Sequence, residues 1–184
     1  MRPLLKKHIT GRKVLLLLVL TNTVYAFMLL VTIPNVMQYT HGMNLFDMMP
    51  RGYDAAYAEV LLTTLGPEGR YAYLHYQLPV DFIYPLLFGI TYSLLIAYFV
   101  NKLKLIDKPV LYLALLPILA GSFDYLENIG IITMLTSFPD FFSKTVQMAN
   151  AFTMMKSGLS TVSFVILIVL FLVFVVRLRN SKNS

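Results

Sequence analysis

The sequence predicts an all-α integral membrane protein, a four-transmembrane-helix bundle with a short interfacial helix in its first outer loop. Three observations support this fold class. Of the 184 residues, 58% are hydrophobic and only 13% are charged, whereas about a quarter are charged in soluble domains. Four apolar stretches are long enough to cross a bilayer core, which takes roughly 20 helical residues. Basic residues cluster beside these stretches, where they fix the orientation of a membrane protein.

The four predicted spans follow the apolar runs, and prolines mark some of their ends. Their boundaries are about residues 14–33, 73–100, 109–134 and 148–176. Pro34 is expected to end the first span, because proline disrupts a helix interior. The second span begins near residue 73 or near residue 80, since Pro79 and Pro85 interrupt its start. We find no internal repeat and no low-complexity linker, so residues 1–184 are predicted to form a single membrane domain.

Residues 35–70 form the only long segment outside the predicted spans. Within this outer segment, Ala55 to Leu65 has apolar residues at helical spacing. Asp54 is placed to be the N-cap of this helix, and Gly66 followed by Pro67 is expected to end it. The sequence therefore predicts a short helix that lies on the membrane surface or caps the bundle.

The positions of lysine and arginine predict the orientation. Eleven of the 15 basic residues lie on one side of the predicted spans: Arg2, Lys6, Lys7, Arg12, Lys13, Lys102, Lys104, Lys108, Arg177, Arg179 and Lys182. The positive-inside rule makes that side cytoplasmic. Both termini are then in the cytoplasm, and the loops at 35–70 and 136–147 are outside. The expected location is the cytoplasmic or plasma membrane.

The N-terminus allows one alternative. A basic start, the leucine run at 15–18 and the pattern Val24-Tyr25-Ala26 are also typical of a cleaved signal peptide. The apolar run continues past that site to Val31. A retained first span is therefore the favoured interpretation.

Ionisable residues inside the spans mark the candidate site, because charged groups are costly in a bilayer and are usually functional. In the third span Asp124, Glu127 and Asn128 stand at i, i+3 and i+4, so one helix face presents all three. Gly121 continues this face and allows a neighbouring helix to approach closely. The face is therefore expected to point into the bundle. The alternative is a purely structural role for the two acids, as a hydrogen-bonded packing device.

Two further ionisable residues belong to neighbouring spans. Asp81 lies in the second span, where Pro85 lacks the backbone N–H that would bond to the Asp81 carbonyl. Lys156 lies in the fourth span. Counting about 1.5 Å per residue places Asp81, Lys156 and the two acids of the third span at a similar, outer level. The expectation is a charge-compensated polar pocket. Alternatively, Lys156 extends to the outer interface and Asp81 only starts a helix there.

A weaker candidate is a cationic, aromatic collar above this pocket. Arg70 precedes Tyr73 and His75 in an aromatic-rich stretch. Such a collar would form salt bridges to the acids or bind a lipid phosphate. The ordinary alternative is an interfacial aromatic belt.

Several functional classes are excluded by the sequence. The chain has no cysteine, which removes disulfides, thiolate metal sites and cysteine nucleophiles. Its three histidines, His8, His41 and His75, show no metal-ligand spacing. No nucleotide-binding loop or serine-hydrolase elbow is present. We predict no metal, no cofactor and no nucleic-acid partner.

The leading functional hypothesis is non-enzymatic. A polar pocket formed by Asp81, Asp124, Glu127, Asn128 and Lys156 would bind a small or lipid-like ligand, or relay protons or ions. The first alternative is a membrane enzyme that uses a paired acid and base on a lipid or isoprenoid. The second alternative is an accessory or assembly subunit, whose acids pair with a membrane-protein partner.

Overall fold

The computed structural model describes residues 10–141 and 143–182, with side chains as far as residue 180. Within these ranges every regular element is helical, and we label the five long helices α1 to α5. They are α1 Gly11–Met37, α2 Ala55–Ala72, α3 Leu78–Lys102, α4 Leu116–Ser137 and α5 Ser143–Lys182. Two 3₁₀ helices, Phe46–Met48 and Pro109–Leu115, precede α2 and α4. Arg2, Lys6, Lys7 and His8 lie outside the described residues.

Four of the helical stretches are long and apolar enough to cross a membrane, as the sequence predicts. They are Gly11–Met37, Ala55–Lys102, Pro109–Ser137 and Ser143–Asn180. The third stretch ends at Ser137, where the sequence predicted an end near residue 134. The fourth begins at Ser143, where the sequence predicted a start near residue 148. The polar residues that begin α5 are helical although their hydropathy does not mark them as part of a span.

The outer segment contains the predicted short helix, and a further helical stretch follows it directly. The Asp54 side chain caps α2 by accepting a hydrogen bond of 2.8 Å from the backbone N–H of Tyr57. Gly66 has a φ of +59° and breaks the helical geometry, as predicted. The chain then resumes its helix at Pro67, which is favoured in a first turn. Because Ala58, Leu61, Leu62 and Leu65 are buried, α2 caps one end of the bundle.

Two π-helical turns explain how the chain passes prolines that were expected to interrupt it. Residues Met28–Thr32 and Tyr73–Gln77 form these turns, directly before Pro34 and Pro79. A π turn shifts the hydrogen-bonding pattern by one residue and accommodates the missing proline N–H. The prediction that the first helix ends at Pro34 is therefore wrong, since α1 continues to Met37. The two turns contact each other through a hydrogen bond from the Thr32 hydroxyl to the Gln77 carbonyl oxygen.

The long helices pack as an antiparallel bundle in which α4 lies between α3 and α5, and α1 lies against α3. The closest approach of α3 and α4 is at Gly121, where an added Cβ would lie 2.6 Å from the carbonyl oxygen of Pro85. The contact between α3 and α4 therefore depends on a residue without a side chain.

Two apolar clusters fill the bundle, one near each end. The cluster at the loop end, beside residues 38–54 and 138–142, includes Phe46, Leu62 and Met134. The cluster at the terminal end, beside residue 10 and the 103–108 connection, includes Ile96 and Leu170. The predicted site lies between the two clusters.

Candidate functional site

The three polar residues of α4 face the interior of the bundle. Asp124 is 9% exposed, and Glu127 and Asn128 are fully buried. Their spacing places them on one helix face, and that face meets α5 on one side and α3 on the other. The structure therefore gives these residues the inward orientation that their spacing predicts.

On the α5 side, Lys156 forms an ion triad with both acids. Its ammonium nitrogen lies 2.8 Å from Asp124 Oδ1 and also contacts Glu127 Oε2. The hydroxyl of Thr153, one turn earlier, donates a 2.6 Å hydrogen bond to Glu127 Oε1. Oε1 of Glu127 thus accepts a hydrogen bond, whereas Oε2 has the ion-pair contact with Lys156 alone. Lys156 turns into the bundle, so its side chain does not extend to the interface.

On the α3 side, Asn128 uses the carbonyl that Pro85 leaves free. Its side-chain nitrogen donates a 3.2 Å hydrogen bond to the Asp81 backbone oxygen. Unlike Asp124 and Glu127, Asp81 forms no ion pair among the described residues; it is 3% exposed, and its Oδ2 has no hydrogen-bond partner there. Such a buried carboxylate costs several kcal/mol of solvation free energy unless something compensates it.

A fourth acid, Asp47, joins the site from the outer segment. It lies in the 3₁₀ helix Phe46–Met48, and the hydroxyl of Tyr73 donates a 3.0 Å hydrogen bond to its Oδ1. Sequence reasoning missed Asp47, because no periodic pattern marks a residue in an irregular segment. It also missed the hydrogen bond from Thr153 to Glu127, although Thr153 and Lys156 are three residues apart and therefore share a helix face.

These groups border a cavity of about 400 Å³ between the two apolar clusters. Its polar lining comes from every long segment except α2: Tyr25, Asp47, Asp81, Tyr84, Asp124, Lys156, Ser157 and Ser160. Its apolar lining consists of Met28, Leu29, Ile33, Met48, Phe88, Ala120 and Phe164. A cavity of this size with a few polar groups on an apolar wall has the character of a small-ligand site. Glu127 and Asn128, both predicted to line the pocket, are not among its lining residues; Glu127 contacts Lys156, which does line it.

The predicted collar does not assemble. Arg70 donates a 2.8 Å hydrogen bond to the Leu62 carbonyl oxygen, and its guanidinium lies 4.5 Å from the centre of the Phe138 ring. Arg70 thus joins α2 to the C-terminal end of α4 and does not reach the acids. His75 is exposed beside Tyr71, with 4.2 Å between the ring centres. Only Tyr73 is connected to the cavity, through Asp47.

In the part of the chain that the structure describes, no group of three or more histidine or acidic side chains is arranged to hold a metal ion. No protein-family model matches the sequence, and no curated protein or solved structure is significantly similar to it. The geometry of the cavity is therefore the feature from which a function can be inferred.

Proposed function

We propose that the chain is an integral membrane protein whose two ends are cytoplasmic, with α2 at the outer interface. Large apolar side chains on the outward faces of the helices support insertion: Leu30 is 77% exposed and Ile168 is 60% exposed. Apolar surface of this extent is typical of a membrane or protein contact. The basic residues of the terminal end, including Arg12, Lys102 and Arg177, support the orientation.

Within this membrane protein, we propose that the cavity binds a small amphipathic ligand. The observation that supports this function best is Asp81, a buried carboxylate that borders the cavity and has an oxygen without a partner. A ligand group in the cavity that donates a hydrogen bond to the Asp81 carboxyl group would compensate for its burial. The aromatic and aliphatic lining formed by Met28, Phe88 and Phe164 would accommodate an apolar portion of the same ligand.

Binding is favoured over proton or ion relay because the ionisable lining does not continue toward the terminal end. No Asp or Glu lies between residues 82 and 106, and no charged residue lies between 109 and 123 or between 157 and 176. The cluster around Ile96 and Leu170 fills this half of the bundle instead. A proton or ion relay across a membrane would need further ionisable groups there, in addition to the buried hydroxyls of Thr21, Thr91 and Ser163.

Binding is also favoured over acid–base catalysis. A catalytic acid or base must come within hydrogen-bonding reach of the substrate. Glu127 is fully buried behind Lys156, and both of its oxygens have partners. Asp124 lines the cavity but is already paired with Lys156. The remaining alternative, an accessory subunit, would require acids that are free to pair with another protein, and two of these acids already have a partner within the chain.

The test is photolabelling of the purified protein in nanodiscs of zwitterionic lipid. The probe is a linear 12-carbon alcohol with a diazirine on its tail, and labelled peptides are identified by mass spectrometry. We expect saturable labelling of peptides that line the cavity. Ser160→Phe places a ring in the cavity and should abolish this labelling. Its neighbour Thr161 is exposed on the outside of α5, so Thr161→Phe is the matched control and should label normally.

The proposal fails if labelling of the cavity peptides does not saturate, or if the two phenylalanine variants label equally. Size-exclusion profiles of both variants establish that each is folded. Labelling spread evenly over the lipid-facing surface would mean that the probe reports only membrane partition.

A further inference from the structure

The charged groups around the cavity are unbalanced. Asp47, Asp81 and Asp124 line it, Glu127 lies directly behind, and Lys156 is the only basic residue in the described lining. Four carboxyl groups therefore face one ammonium group, and that ammonium contacts Asp124 and Glu127. Asp81 and Asp47 also line the cavity but form no ion pair with this ammonium group. A positive group placed there would interact favourably with both.

The cavity also has an open side. α1 packs against α3, and α5 packs against α4 and α3, but in the described residues α1 and α5 do not pack closely on each other. Both of these helices line the cavity, with Tyr25 and Leu29 on α1 and Ser160 and Phe164 on α5. Leu29 is exposed on its outer side. The gap between α1 and α5 thus connects the cavity to the region that lipid tails would occupy.

The loop end of the cavity is partly covered by a short helix, whose Met48 is itself 36% exposed. The 3₁₀ helix Phe46–Met48 supplies Asp47 and Met48 to the lining, and its Phe46 is fully buried in the cluster at the loop end. The hydrogen bond from Tyr73 to Asp47 fixes this cover to the start of the second span. A long apolar tail would therefore leave the cavity sideways and not through this cover.

We propose that the ligand is a single-chain amphiphile with a protonated primary or secondary amine, which enters through the gap between α1 and α5. The ammonium head binds Asp81, with Asp47 as the second carboxylate, and the tail lies along Leu29 and Phe164. This inference rests on the proposed function, because it assigns a head-group charge and a route to a ligand of the same cavity. The ammonium head would donate a charge-assisted hydrogen bond to the Asp81 carboxylate. It would thereby compensate for the burial of a group that has no partner within the described chain.

The test compares two photoprobes with the same 12-carbon tail, one bearing a primary amine and the other the alcohol used above. Each carries its diazirine at the far end of the tail, and nanodiscs contain only zwitterionic lipid. We expect the amine to reach half-maximal labelling of the cavity at a concentration about tenfold lower than the alcohol, as one charge-assisted hydrogen bond implies. Adducts should lie on Leu29 or Phe164.

Asp81→Asn should bring the two probes to about equal half-maximal concentrations, because an amide accepts a hydrogen bond from either head but carries no charge. Glu59→Gln is the matched control, since Glu59 is an exposed acid of α2 at the same end of the bundle. It should preserve the preference for the amine.

The outcomes separate the two proposals. If the alcohol labels the cavity as well as the amine does on the unmodified chain, the charge inference is wrong and the binding function stands. If neither probe labels the cavity, the binding function itself is wrong. Adducts on Met48 instead of α1 or α5 would overturn the lateral route. The ratio of the two half-maximal concentrations is measured on the unmodified chain, so this test does not depend on the folding of a variant.

Discussion

Replacing Lys156 with methionine tests whether the ion triad stabilises the fold. Methionine has a similar length but no charge, so the substitution leaves Asp124 and Glu127 facing each other without their common partner. Removing one member of a buried ion pair costs about 3–5 kcal/mol, because the remaining charge is buried and uncompensated. Here two carboxyl groups lose their partner at once, and one of them is fully buried. We therefore expect a loss toward the upper end of that range.

Thermal unfolding of the purified protein in detergent micelles measures this loss. For a chain of 150–250 residues, 1 kcal/mol corresponds to roughly 2–4 °C in Tm. The expected decrease in Tm for Lys156→Met, taken at about 5 kcal/mol, is thus about 10–20 °C. Lys144→Met is the matched control, because Lys144 is exposed at the start of the same helix. Its effect should stay within about 0.5 kcal/mol, as is usual for surface substitutions.

A triple variant then distinguishes two causes of the lower Tm: the missing lysine side chain, and the buried carboxylates that are left without a counter-charge. Lys156→Met combined with Asp124→Asn and Glu127→Gln removes all three charges and keeps the side-chain volumes. Replacing a complete buried ion network by neutral groups is often close to neutral in stability. We expect the triple variant to recover most of the lost Tm. The reasoning is refuted if Lys156→Met unfolds at the same temperature as Lys144→Met, or if the triple variant is no more stable than Lys156→Met.

Two further predictions concern the architecture and use the same thermal assay. Gly121→Ala places a methyl group 2.6 Å from the carbonyl oxygen of Pro85 and should cost about 1–3 kcal/mol, since α3 and α4 must separate. Gly158→Ala meets nothing within 4 Å and should be neutral or stabilising by up to about 1 kcal/mol; equal effects of the two would contradict the close approach. Asp54→Ala removes the cap of α2, which accepts from the Tyr57 N–H, and should cost about 1 kcal/mol. Asp54→Asn keeps the acceptor and should retain stability, and an equal loss would exclude capping as the cause.

The features that sequence predicted correctly depend on short-range periodicity. Helices recur every 3.6 residues, so the spacing of Asp124, Glu127 and Asn128 determines that they share a face, whatever the rest of the chain does. The surrounding apolar residues determine that this face turns inward. The cap at Asp54 and the break at Gly66 are equally local, since each depends on the residue type and its neighbours.

The features that sequence missed depend on contacts between distant segments. The partnership of Asp47 with Tyr73 joins an irregular loop to a helix, and no pattern within either segment indicates it. Arg70 was expected above the acids because it precedes an aromatic stretch, but the break at Gly66 brings its guanidinium to the Leu62 carbonyl instead. The ends of the first two spans were misjudged for another reason: π turns before Pro34 and Pro79 let each helix accommodate a residue that usually breaks one.

The polar groups around the cavity divide into two sets with different expected roles. Asp124, Glu127 and Lys156 satisfy one another across α4 and α5, so their interaction fixes how these helices pack and leaves little capacity for a ligand. Asp81 belongs to α3 and lines the same cavity, but it forms no ion pair, and its buried Oδ2 has no hydrogen-bond partner among the described residues. Substitutions in the first set should therefore lower the free energy of unfolding. Asp81→Asn should leave the free energy of unfolding unchanged or raise it, because it removes a buried ionisable group. The same substitution should weaken the binding of an amine. A stability loss from Asp81→Asn as large as that from Lys156→Met would place Asp81 in the structural set, and the cavity would then lose the group on which its proposed ligand depends.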